Sequence, residues 1–157
     1  MDPGTSEKRS NLSLWSAWIG FLLALVGWVI AVGGAVGFFA SQVRIPGAST
    51  WPLPGLILLD WALAGLPTLV ACAINLKSAP GRWIRAAWFG TGMLLPLIIL
   101  GAFSIGPLVL ITFLSLLAAS VLLTMQKGSR WLESLGLLLL GAICNVGFWV
   151  LLFIISS

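Results

Sequence analysis

The sequence predicts an all-α, polytopic integral membrane protein: a bundle of five transmembrane helices with its N-terminus inside and its C-terminus outside. Three observations predict it. Hydrophobic residues make up 60% of the 157-residue chain and charged residues 8%, against roughly 25% charged in an average soluble domain. A soluble fold of this length cannot hide so much apolar surface, so lipid must cover it. The apolar residues fall in five stretches, each long enough to cross a bilayer. Once those five crossings are drawn, Lys8, Arg9, Lys77, Arg82, Arg85, Lys127 and Arg130 lie on one side and Arg44 alone on the other. That is the positive-inside distribution, and it played no part in choosing the segments. The chain therefore reads as a single transmembrane domain, 1–157, with helices at about 14–39, 54–76, 84–103, 107–125 and 132–155.

The first helix follows Lys8 and Arg9, as a signal peptide would follow its basic region. Its apolar run is too long for a signal sequence, and Phe38-Phe39-Ala40 lacks a small-x-small cleavage pattern, so it is expected to be a retained signal anchor. The polar stretch at 41–51 forms a loop holding Arg44. In the second helix Pro67 should produce a kink, because it leaves a carbonyl one turn earlier without its amide partner. A basic turn at 77–82 precedes the third helix. The stretch at 86–126 carries no charge and is twice as long as one crossing needs. Ser104-Ile105-Gly106-Pro107 is its natural break, since Gly and Pro punctuate turns and Pro suits a first helical turn. The basic turn at 126–130 leads into the last helix. Only two serines follow that helix, and no terminus or loop is long enough to be expected to fold alone. Tryptophan agrees with the segmentation: Trp15, Trp18, Trp83 and Trp131 fall near the inner interface, Trp51 and Trp149 near the outer one. Trp61 and Trp88 lie about a turn deeper, and Trp28 lies near the midplane.

Histidine and tyrosine are absent, which removes imidazole-based catalysis, imidazole haem ligation and His-containing zinc sites. Cys72 and Cys144 lie at depths separated by roughly 14 Å at the helical rise, too far for a disulfide, and are expected to be free, buried thiols. No phosphate loop, metal cluster or nucleophile elbow is visible, so no catalytic residue, cofactor or metal is expected. The basic residues are too scattered for nucleic acid.

Three features remain. Ala17, Gly20, Ala24, Gly27, Ala31 and Gly34, continuing Ser13, recur at spacings of four and three on the first helix, and Gly33 and Gly37 add a GxxxG step beside them. Small residues in such a pattern let helix backbones approach closely. The seam serves another helix of this chain or, alternatively, a partner subunit or a second copy. Asp60 is the one acid well inside a predicted helix, on a face shared with Ala64, Thr68, Ala71 and Asn75, and Asn145 lies at a similar depth. Asp60, Thr68 and Asn145 are the candidate intramembrane polar site. The structural reading pairs Asp60 with Asn145 or with Arg44; the functional reading is a proton, cation or polar-solute site. Glu133 is expected to favour the start of the last helix and to pair with Arg130. The inner basic rim can attract anionic lipid headgroups.

These observations predict a small non-catalytic membrane protein: an accessory, scaffold or assembly subunit, with the lipid bilayer and other membrane subunits or further copies of itself as partners. The alternative is a small-solute or ion permease using Asp60 and Asn145. The expected location is a cell membrane, taken as a bacterial plasma membrane.

Overall fold

In a computed structural model, which describes residues 3–44, 53–77, 83–101, 105–127 and 131–156, the apolar stretches fold as helices. They are α1 (Pro3–Val43), α2 (Leu53–Ala64), α3 (Leu66–Lys77), α4 (Trp83–Leu100), α5 (Gly106–Lys127) and α6 (Trp131–Ser156). Five spans are long and apolar enough to cross a membrane: Leu14–Val43, Gly55–Lys77, Trp83–Leu100, Gly106–Gln126 and Trp131–Ile155. The chain is thus an all-helical, five-span membrane protein. The bilayer explains why helices are the solution, since a helix satisfies its own backbone groups where no water can.

The second span is more than kinked. It is interrupted at Gly65 and divides into α2 and α3, each of 12 residues. Pro67 has no amide to offer the Leu63 carbonyl, and the ladder resumes where the Leu69 amide donates to the Gly65 carbonyl at 3.2 Å. Pro96 lies inside α4 and likewise leaves the Gly92 carbonyl without an intrahelical donor. The helix continues through it to Leu100, ending earlier than the expected 103. The Gly101 amide then donates to the Leu97 carbonyl at 2.8 Å, and the Gly106 amide to the Gly101 carbonyl at 2.6 Å. A Cβ on Gly106 would stand 2.7 Å from that same Gly101 oxygen, so only glycine lets α4 turn this tightly into α5.

Helix α4 is central: it packs against α3, α5 and α6, while α1 lies along α5 and across α2 and α3. Trp61, Trp88, Leu94, Leu97, Val109 and Leu116 fill the core and are wholly buried. Helix α6 is peripheral, because α4 is its one substantial neighbour. That contact is very close. A Cβ on Gly92 would overlap the Leu138 carbonyl, and one on Gly141 would overlap the Phe89 carbonyl, so the two backbones touch at two levels.

One end of the bundle is tied by side chains. Asn75 Nδ2 donates to Gln126 Oε1 at 2.7 Å, and Gln126 Nε2 donates to Ser16 Oγ at 2.9 Å, which brings α1, α3 and α5 to one level. The exposed rings of Trp15, Trp18, Trp83 and Trp131 belong to this end, and Arg44 to the other. Glu133 differs from expectation: Arg85 Nε meets its Oε1 at 2.9 Å, because the α4–α6 crossing sets those two side chains opposite each other. Arg130, the expected partner, lies outside the described residues, as do Trp51 and Arg82. Both cysteines are free, but Cys144 is exposed rather than buried, since it falls on a flank of α6 that α4 does not cover.

Candidate functional site

Asp60 stands on α2 at the margin between the buried face of Trp61 and Ala64 and the exposed face of Leu59 and Leu63. Opposite it on α6 are Asn145, wholly buried, and Trp149 one turn further on. Asn145 Nδ2 donates to Asp60 Oδ2 at 2.8 Å, and Trp149 Nε1 donates to the same oxygen at 3.1 Å. Helices α2 and α6 have little other contact, so this cluster is the strap between them. Asp60 Oδ1 takes no hydrogen bond among the described residues, and Asn145 Oδ1 is buried without a partner. The site therefore holds two acceptor oxygens with no donor, one of them on a carboxylate at membrane depth.

The alternative pairing of Asp60 with Arg44 is not formed. Arg44 is exposed just past the end of α1, and the carboxylate is turned toward α6. Among the described residues the ion pair present is Arg85–Glu133.

Thr68 is not brought to this cluster. It lies eight residues further along the interrupted span, and its bonds go elsewhere. Thr68 Oγ1 donates to the Ala87 carbonyl at 3.1 Å and lies 3.1 Å from Thr91 Oγ1, which lies 3.3 Å from Ser120 Oγ. Nearby, Trp88 Nε1 donates to Thr124 Oγ1 at 2.8 Å, and Thr124 Oγ1 donates to the Ser120 carbonyl at 2.9 Å. A hydroxyl has one proton to give. With Thr68 giving its own to Ala87, Thr91 donates to Thr68 and Ser120 donates to Thr91, so each proton has a place. The ladder locks α3, α4 and α5 together. Sequence reasoning missed Thr91, Ser120 and Thr124. The available signal was Ser120 and Thr124 one turn apart in an uncharged stretch.

The small-residue seam faces the chain's own helices. Ala17, Gly20, Ala24, Gly27 and Ala31 are buried and Gly34 is half-buried. A Cβ on Gly27 would stand 3.1 Å from Ser115 Cβ and 3.2 Å from Leu116 Cγ on α5, and one on Gly20 would stand 3.8 Å from Leu122 Cβ. The Gly34 backbone lies against the Trp61 ring. Gly33 and Gly37 are on the open side, where a Cβ would meet nothing within 4 Å. Comparison of the chain with models of known families finds no match, and neither do searches of curated proteins and of solved structures.

Proposed function

We propose that this chain is a non-catalytic integral membrane protein that acts as an accessory, scaffold or assembly subunit of a larger complex in a bacterial plasma membrane. The observation that carries the reading is the closed hydroxyl ladder. Thr68, Thr91, Ser120 and Thr124 are buried to within 1% of their surface and are tied into one hydrogen-bonded set, so these four hydroxyls act as interhelical glue. A solute path through the middle of α3, α4 and α5 would have to break that ladder. The basic end, with Lys77 exposed, suits the cytoplasmic face and anionic headgroups there. Native mass spectrometry after mild extraction tests the proposal. The chain is expected in an assembly with other membrane subunits; a lone monomer or homodimer overturns it.

A permease reading is favoured by one specific observation, the donor-free oxygens of Asp60 and Asn145 at the rim of the bundle. Under that reading Asp60→Asn folds normally and abolishes proton- or ion-coupled transport, because the amide cannot titrate.

A further inference from the structure

We infer that Asp60 is the docking point for a transmembrane helix of a partner subunit, one that carries a lysine or arginine side chain at this depth. The inference rests on the accessory-subunit reading and supplies the chemistry of its partner. An ionised carboxylate at membrane depth is costly unless a cation meets it or a proton neutralises it, and a cation is the relief that also fills an oxygen left without a donor. Within the described residues nothing does: both of its bonds come from neutral donors, an amide and an indole, and both fall on Oδ2. Those donors hold the carboxylate fixed and leave Oδ1 free, on the margin that leads to exposed Leu59 and Leu63. An ammonium or guanidinium group brings both the charge and the donors that Oδ1 lacks.

The surroundings say what must deliver that charge. Leu59, Leu63, Phe148 and Val146 are exposed around the cluster, so whatever brings a cation here must itself be apolar on either side of it. Another membrane helix meets that requirement. Helix α6, with α4 as its one substantial neighbour, offers the surface on which it would lie. Trp149 also forms one wall of an apolar groove of about 520 Å³ with Leu95, Pro96, Ile143 and Val146, so a seat for large side chains adjoins the indole that bonds the carboxylate.

The test uses the purified full chain in phosphatidylcholine vesicles with a synthetic Leu/Ala transmembrane peptide bearing a single Lys at matching depth, and the same peptide with Leu at that position. Energy transfer between labels on chain and peptide reads association. The Lys peptide is expected to associate at least about tenfold more tightly than the Leu peptide, the scale of a polar interhelical contact in lipid. The excess should vanish for Asp60→Asn and persist for Asp60→Glu. Equal association of the two peptides with the unaltered chain overturns the proposal without any variant. So does an excess that survives Asp60→Asn. Loss of the excess when phosphatidylethanolamine replaces phosphatidylcholine assigns Oδ1 to a lipid ammonium group instead, and also overturns it. The accessory-subunit reading falls separately, on native mass spectrometry of the unaltered chain.

Discussion

At Asp60 one carboxylate oxygen accepts both the Asn145 amide and the Trp149 indole, so a substitution there is judged by what it leaves to those two donors. Asparagine keeps the size and an acceptor oxygen, and Asp60→Asn should change stability by no more than about 1 kcal/mol. Leucine strands both N–H groups, and Asp60→Leu should cost about 2 kcal/mol or more, with α6 loosened in its C-terminal half. Thermal unfolding in detergent, followed by tryptophan emission, compares the two. Equal losses for both variants would mean that the strap does not hold α6. The Asp60–Asn145 pairing was legible because the two residues share a depth. Trp149 was not, because an indole near a helix end is equally an interfacial anchor, and which group its N–H reaches depends on how α6 is rotated.

Between elements, the tightest approach differs from the one with the strongest sequence pattern. The stripe on α1 is long and regular; it packs on α5 at ordinary to close contact distances, and at Gly34 it leaves no room for a Cβ beside the Trp61 ring of α2, a side chain rather than a backbone. The α4–α6 crossing rests on two isolated glycines, Gly92 and Gly141, whose missing side chains let backbone meet backbone. Gly141→Ala should therefore destabilise the bundle by about 1–3 kcal/mol, the cost of forcing atoms into packed space. Gly136→Ala and Gly147→Ala, on the same helix but facing open space, should shift it by no more than about 0.5 kcal/mol. Resistance to denaturation in mixed detergent reads the difference; similar behaviour of all three would refute the backbone contact. On α1 the same logic makes Gly27→Leu disruptive and Val26→Leu mild, since Gly27 abuts Ser115 and Leu116 while Val26 is exposed. A lone Gly carries no period, so nothing in the sequence separates Gly92 and Gly141 from Gly136 and Gly147.

For the whole molecule, the charge distribution predicts the orientation, N-terminus inside and C-terminus outside. In a background with Cys72 and Cys144 replaced by alanine, single cysteines in the Arg44 loop and at Ser104 should label from outside the cell. Cysteines in the turns at 77–82 and 127–130 should label from the cytoplasm. Labelling of Ser104→Cys from the cytoplasmic side would mean that the uncharged stretch does not cross twice. The rotation of each helix is a separate matter from its direction. Ser16, Asn75 and Gln126 meet at one end through hydrogen bonds that fix α1, α3 and α5 against one another, and none of the three carries the charge that sets topology.

The sequence by itself determined the class, the five spans and the side on which the basic residues gather. Those properties are sums along the chain: each residue's transfer into lipid adds to its neighbours', and the bias of basic residues is counted over the short loops and span ends. It also marked Pro67, since a missing amide acts within its own turn. Only the tertiary structure decided that Glu133 meets Arg85, that Thr68 joins a ladder with Thr91 and Ser120 rather than Asp60, and that α6 hangs on α4 by two glycines and on α2 by a carboxylate strap. In lipid, apolar faces are nearly interchangeable, so hydrophobicity does not choose a helix's partner or rotation. That choice is made by close packing and by a few polar side chains finding one another across helices, and it depends on all of them at once.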